Sequence, residues 1–106
     1  MIIVTSETIA NKRIVKTLGL VRGNTVRARH IGKDIMASFR NIVGGEVHEY
    51  AKLIAESREQ TIDRMVAEAE SLGANAILAT RFTTSVMMGG AAELLAVGTA
   101  VVVEGA

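Results

Sequence analysis

The stretch LLAVGTAVVV, residues 94–103, places apolar side chains on both faces of any strand that it forms. Successive side chains of a strand point to opposite faces. One face receives Leu94, Ala96, Ala100 and Val102, and the other receives Leu95, Val97, Val101 and Val103. A strand that is apolar on both faces is buried on both sides of its sheet. Something must therefore cover each side of this sheet.

The preceding residues predict that this strand belongs to a hairpin. Residues 76–88 form a run in which Leu78, Phe82 and Val86 alternate with more polar side chains. Gly89-Gly90 separates this run from residues 94–103, and two glycines between two such runs are typical of a hairpin turn.

Residues 47–72 predict a long helix. Its apolar positions follow a helical period that Arg58 interrupts; they are Val47, Ala51, Ile54, Ile62, Met65, Ala69 and Leu72. Gly73 supplies the C-terminal cap. A helix of this length spans about 39 Å, so we expect part of it to reach a neighbouring subunit. A first helix is predicted from Ile31, Ile35, Phe39 and Ile42, with Gly44-Gly45 as its end.

The N-terminal part predicts strands. Residues 2–4 form a short apolar strand, and Asn11 and Lys12 suit a turn. Residues 14–21 predict a strand with Leu18 and Leu20 on one face and Val21 on the other. Gly23-Asn24 predicts a bend or bulge, after which residues 25–30 resume an extended conformation.

Helices that lie between blocks of strands predict an α+β fold with a mostly antiparallel sheet, in a single domain of residues 1–106. Helices on one side leave the other side of the sheet uncovered, and the chain has no predicted helix left to cover it. We therefore expect a homo-oligomer in which a neighbouring subunit supplies the second cover.

Composition excludes several classes of function. The 106 residues include no cysteine, which removes thiolate chemistry, and the N-terminus does not resemble a signal peptide. The longest apolar run has about ten residues, whereas a membrane-spanning helix needs about 20. We therefore expect a cytoplasmic protein without membrane contact. The 3% aromatic content argues against the stacking of nucleic-acid bases.

Charge is distributed unevenly along the chain. Residues 12–40 hold eight Lys/Arg and one acidic residue, a net charge of +7, whereas residues 41–106 hold four Lys/Arg and nine acidic residues, a net charge of −5. A basic strand of one subunit can meet an acidic helix of the next. Two different patches in contact form a heterologous interface, which closes into a ring if the rotation permits.

The sequence resembles the YbjQ-like family, a prokaryotic group described as heavy-metal-binding domains. The stretches that carry the resemblance are VRGNTVRARHIGKDI (21–35), FRNIVGGEVHEY (39–50), RMVAEAESLGANAI (64–77), TRFTTS (80–85) and VGTAVVV (97–103). Their order and spacing cover essentially the whole chain. The resemblance implies a two-layer β-α-β-β subunit similar to dodecin, assembly into a pentameric ring, and metal binding without an established physiological role.

Three side chains of the stretch GGEVHEY, residues 44–50, are candidate metal ligands. Glu46, His48 and Glu49 combine carboxylates with an imidazole, donors that suit a divalent ion such as Zn²⁺, Ni²⁺ or Mn²⁺. On one helix, however, His48 lies about 100° or more from either glutamate. A neighbour's His30 or His48 would complete such a site. Alternatively, the two glutamates only stabilise the start of the helix.

A second candidate site is basic. Arg27, Arg29, Lys33 and Arg40 surround His30 in sequence and suit a phosphate or another anion near a helix start. Alternatively, they pair with the acidic helix of a neighbouring subunit, which we favour because the acidic counterpart is in the same chain. No nucleic-acid-binding motif supports a nucleic-acid partner.

Other chemistry has little support. Met87-Met88 offers thioethers that suit Cu(I), but adjacent strand residues point to opposite faces. No serine or histidine lies in a catalytic motif, so we expect no enzymatic activity. Three functions stay open: a ring-forming protein that binds heavy-metal ions, a ring that binds anions or nucleic acid through residues 12–40, and a scaffold with ligand clefts between its subunits.

Overall fold

A computed structural model describes residues 1–27, 47–86 and 92–105 of the chain. The described elements, in chain order, are strand β1 (Ile2–Ile3), strand β2 (Lys12–Arg27), helix α1 (Val47–Ser71), strand β3 (Ala76–Val86) and strand β4 (Ala92–Gly105). The α+β class is therefore confirmed. The predicted first helix at 31–42 and the glycine pairs at 44–45 and 89–90 lie outside the described residues.

The four described strands form one mixed sheet in the order β1-β3-β4-β2. The interior strand β4 pairs with β2 and with β3 in antiparallel orientation. The pairing of β3 with β4 is the one that the hairpin signal predicts. Strand β1 pairs with β3 in parallel orientation through Ile2 and Ile3. The sheet is thus mostly antiparallel, and the doubly apolar stretch 94–103 occupies an interior position in it.

Helix α1 covers one face of this sheet. The core beneath it consists of buried side chains from the helix and from three strands: Val21, Met65, Ala69, Ile77, Ala96 and Ala100. Gly73 has a φ of 87° directly after the helix, and the amide of Ala74 donates to the carbonyl of Ala69. A left-handed residue at this position ends a helix, which confirms the predicted cap.

The buried stripe of α1 differs from the apolar pattern predicted from the sequence. Its members are four residues apart and include two hydroxyl side chains: Ser57, Thr61, Met65 and Ala69. Ile62 is only half-buried, and Leu72 is exposed. The prediction weighed apolar residues alone, whereas a helix this close to a strand accommodates small side chains and hydroxyls that find partners.

The predicted bend at Gly23-Asn24 is wrong. Both residues stay in regular register with β4, and the irregularities of β2 lie between Ile14 and Lys16 and between Thr17 and Gly19. Gly19 has a φ of 118°, in the left-handed region that favours glycine. Leu18 is the extra residue between the pairs that Thr17 and Gly19 form with β4, and it packs against the same core as Val21.

The opposite face of the sheet is covered at one end by the chain's own N-terminal segment. Val4 and Ile9 pack against a second core of Ala76, Leu78, Val101 and Val103. The amide of Val4 donates to the carbonyl of Ile77, and the amide of Thr80 donates to the carbonyl of Val4. The sequence predicted that a neighbouring subunit covers this face. At this end, the N-terminal segment of the same chain provides the cover instead.

Candidate functional site

The region that carries the predicted site lies where β2 ends and α1 begins, and Gly23 determines how closely the two approach. A Cβ atom at Gly23 would collide with the carbonyl oxygen of Thr61 and the amide nitrogen of Met65. The helix backbone therefore rests directly on the backbone of β2 at this position. No residue with a side chain fits there without displacing the helix.

A cluster of hydroxyl groups fixes the helix on the strand. The hydroxyl oxygens of Thr25 and Thr61 are 2.9 Å apart, and the hydroxyl of Thr61 donates to the carbonyl oxygen of Ser57 at 2.8 Å. All three residues are buried. Buried hydroxyls without partners would be costly, so this cluster favours one alignment of helix and strand over alternatives.

Helix and strand run in opposite directions. Thr25 contacts Ser57 and Thr61, whereas Gly23, two residues earlier in β2, faces Thr61 and Met65. The guanidinium of Arg64 also donates to the carbonyl oxygen of Asn24. As the strand proceeds toward Arg27, the neighbouring helix residues therefore have decreasing numbers.

The start of α1 lies near the point at which the described part of β2 stops. From Ser57 back to His48 the helix rises about 14 Å, whereas β2 advances only about 7 Å from Thr25 to its last residue, Arg27. Arg27 pairs with Ala92, the first residue of β4. The first turns of α1 therefore lie beyond Arg27, the last described residue of β2.

Two of the predicted metal ligands are located at this end of the molecule. His48 and Glu49 lie in the first turn of α1, and Glu46 and His30 lie outside the described residues. Within residues 1–27, 47–86 and 92–105, no three His, Cys, Asp or Glu side chains form a group that could hold a metal ion. The described part of one chain therefore does not form a metal centre, and the predicted site stays a prediction.

The predicted basic site is located only in part. Arg27 is the last residue of β2, whereas Arg29, Lys33 and Arg40 lie outside the described residues. Lys12, Lys16 and Arg22 are exposed along the same strand. Further from the helix start, Arg13 forms an ion pair with Glu104 at 3.2 Å, and both side chains are well exposed.

Sequence reasoning missed the hydroxyl cluster and the role of Arg81. The four-residue spacing of Ser57, Thr61, Met65 and Ala69 is a helical stripe, so a search that included small polar residues would have found it. Arg81 donates to the carbonyl oxygens of Thr5 and Thr80. Nothing in the local sequence indicates this contact, because it depends on an irregularity between Leu78 and Arg81 that brings the N-terminal segment alongside.

The described residues define a small α+β domain with a helix on one face of a mixed four-stranded sheet. No helix among them combines the length and apolar character needed to cross a membrane. A family model described as "Putative heavy-metal-binding" matches residues 1–104. The chain belongs to this family, the YbjQ family.

Relatives from archaea and bacteria support the assignment. The chain is 57% identical over 101 residues to a "UPF0145 protein" of Methanosarcina acetivorans, which covers 95% of each chain. It is 53% identical over 106 residues to a "UPF0145 protein" of Clostridium perfringens, which covers 100% of each. A crystal structure of a protein of unknown function from Pediococcus pentosaceus has a TM-score of 0.64 over 98% of each chain at 14% identity, and so supports the fold alone.

Proposed function

We propose that this protein is a non-enzymatic, ring-forming module that binds divalent metal ions where two subunits meet. Glu46, His48 and Glu49 of one subunit and His30 of a neighbour supply the ligands. The observation that carries the proposal is the match of residues 1–104 to a family described as "Putative heavy-metal-binding". His48 and Glu49 lie in the first turn of α1. One helix does not bring Glu46, His48 and Glu49 onto one ion, so a neighbouring subunit has to complete the site.

The chemistry of the donors selects the kind of metal. Without cysteine the chain offers no thiolate, the ligand that soft heavy metals prefer. Imidazole and carboxylate suit borderline ions such as Zn²⁺ and Ni²⁺. The family description supports metal binding in general, and the residues of this chain narrow it to this group of ions.

Metal titration by calorimetry tests the proposal. Wild-type protein is titrated with Zn²⁺, Ni²⁺ and Cu²⁺ beside the variant Glu46→Ala with His48→Ala. We expect the variant to lose about tenfold or more in affinity, because removing ligands weakens a metal site at least as strongly as removing the groups that orient them. The variant His30→Ala tests whether His30 supplies a ligand.

A matched control separates ligands from bulk charge. Glu7→Ala with Glu68→Ala removes two exposed carboxylates that lie away from the helix start. Equal affinity in this control and in wild type, together with weaker binding by the Glu46 and His48 variant, supports the assignment. Equal binding by all three proteins, or no binding by any, refutes it.

A second function has support from the basic residues of β2. Lys12, Lys16 and Arg22 are exposed along one strand, and exposed cations attract a polyanion such as nucleic acid. Binding of a short single-stranded DNA, measured by fluorescence anisotropy, would fall steeply with salt and be lost in Arg27→Ala with Arg29→Ala. If these substitutions instead break the oligomer, the basic segment serves assembly. Location in the cytoplasm stays a prediction.

A further inference from the structure

One side of the sheet presents exposed apolar and basic side chains together. We call this surface the open face; it lies opposite α1 and comprises Leu20, Arg22, Val26, Arg81 and Val97. Leu20 is 64% exposed and Val26 is 49% exposed. Leu20 and Val26 are about 20 Å apart along β2, and the half-buried Leu95 and Val97 of β4 lie between them. Exposed apolar surface of this kind marks an interaction site. On this side of the sheet, the N-terminal segment packs against Val101 and Val103 and reaches as far as Arg81, which contacts the carbonyl of Thr5.

Two arginines flank the central strand on the open face. Arg22 of β2 and Arg81 of β3 are both direct cross-strand partners of Val97. Direct partners project from the same side of a sheet, and two strand spacings separate the two arginine backbones by about 10 Å. The contacts of Arg81 with the carbonyls of Thr5 and Thr80 hold its guanidinium in place. The open face therefore carries two arginines whose backbones lie about 10 Å apart.

The outer surface of α1 carries the opposite charge. Four exposed carboxylates, which we call the acidic stripe, share one side of the helix: Glu56, Glu59, Asp63 and Glu70. At 100° per residue they lie within about 60° of one another and roughly opposite the buried Thr61. Because Thr61 faces the sheet, the acidic stripe faces away from it.

We propose that the open face of one copy binds the acidic stripe of a second copy. This inference rests on the proposed function, because it identifies the surfaces by which the subunits assemble. The two surfaces lie on opposite sides of one chain, so a single copy cannot bring them together. The contact joins two different patches, which makes it heterologous and able to continue from subunit to subunit until a ring closes.

The charge spacing on the two surfaces is similar. Glu56 and Asp63, or Asp63 and Glu70, are seven residues apart, a rise of about 10.5 Å along the helix. This is close to the separation of about 10 Å between Arg22 and Arg81 across β4. Two carboxylates two turns apart therefore reach both arginines when the helix lies across the strands. Leu20 and Val26 then lose contact with water, which adds a favourable apolar contribution.

Charge reversal tests the contact. Arg22→Glu and Asp63→Lys are each made alone, and the molar mass of the assembly is measured over a dilution series by light scattering after size-exclusion chromatography. Like charges at an interface cost several kcal/mol, so we expect each variant to dissociate at a concentration about 100-fold higher than wild type. The double variant Arg22→Glu with Asp63→Lys restores the pairing with reversed signs, and its dissociation returns toward the wild-type value.

Matched controls carry the same charge changes elsewhere. Lys12→Glu changes an exposed cation of β2 at the far end of its pairing with β4, and Glu68→Lys changes an exposed acid of α1 outside the acidic stripe. Both should assemble as wild type does. Circular dichroism confirms that every variant is folded. If Arg22→Glu and Asp63→Lys assemble as tightly as wild type, or if the controls dissociate equally, the proposed contact is wrong.

Other outcomes identify other partners. If wild type is a monomer at every concentration, both this contact and the ring fail, while metal titration of the same sample still tests metal binding by one chain. If the Arg22→Glu variant keeps the molar mass of the wild-type assembly but no longer binds a short single-stranded DNA, the open face binds nucleic acid and the proposal is overturned. If the variant Glu46→Ala with His48→Ala loses metal affinity while its assembly stays intact, assembly through the open face does not depend on the metal site.

Discussion

The two faces of the sheet receive apolar side chains from the same strand, β4, yet one is closed and the other is partly open. Under α1, Ala96 and Ala100 are fully buried, and small residues allow the helix to approach the strands closely. On the opposite side, Leu95 and Val97 are only half-buried, and Leu20 of the neighbouring strand is exposed. Apolar sequence therefore does not determine burial within one chain, because burial also requires a covering element.

The difference also concerns polar groups. The closed face uses uncharged hydroxyls that satisfy one another, Thr25 with Thr61 and Thr61 with the carbonyl of Ser57. The open face uses exposed arginines, Arg22 and Arg81. Hydroxyls buried in pairs suit a permanent contact within a chain, whereas exposed charges suit recognition between molecules.

The largest effect should follow from closing the space under the helix. Gly23→Ala introduces a Cβ that collides with the backbone of Thr61 and Met65, so α1 must move away from the sheet. We expect a loss of about 3 kcal/mol in the free energy of unfolding, at the upper end of the range for overpacking. Urea unfolding followed by circular dichroism measures it. Gly105→Ala is the control, because its added Cβ meets nothing within 4 Å; equal midpoints for the two variants would contradict the close approach.

A smaller effect is expected from the hydroxyl cluster. Thr61→Val removes the donor to Ser57 and the partner of Thr25, which should cost about 1–2 kcal/mol in the free energy of unfolding. The double variant Thr25→Val with Thr61→Val should lose less than the sum of the single variants, because it leaves no unpaired threonine hydroxyl. Unfolding of all three variants gives the coupling energy, and strict additivity would show that the two hydroxyls do not interact. Thr17→Val, at an exposed position of β2, is the control.

The smallest effect on subunit stability is expected on the open face. Leu20→Ser alters an exposed side chain, so the free energy of unfolding should change by less than about 0.5 kcal/mol. The measurement is made under conditions that keep subunits separate. A loss of several kcal/mol there would mean that the open face is closed within one chain, and the contrast between the two faces would disappear.

Much of the fold could be predicted from the sequence. The strands at the two ends, the helix with its cap at Gly73 and the antiparallel pairing of β3 and β4 follow from alternation, helical period and glycine placement. The position of Gly23 was misjudged, because a glycine that admits a neighbouring helix is indistinguishable in sequence from one that bends a strand. The parallel pairing of β1 with β3 was not predicted, since it joins residues far apart in sequence.

For the candidate site, the sequence predicted the types of ligand but not their geometry. Residue types indicated imidazole and carboxylate at the start of a helix, and the structure places His48 and Glu49 in the first turn of α1. Which ligands converge depends on distances between residues of different elements and of different subunits. A sequence does not contain these distances in any local pattern.

The sequence by itself determined the α+β class, the long helix, and the separation of basic from acidic residues along the chain. These follow from local periodicity and composition, which need only neighbouring residues. The tertiary structure decided the side of α1 that is buried, the covering of Val101 and Val103 by the N-terminal segment, and the facing of the acidic stripe away from the sheet. These depend on how closely distant segments pack, and Gly23 and the hydroxyls of Thr25 and Thr61 fix that packing.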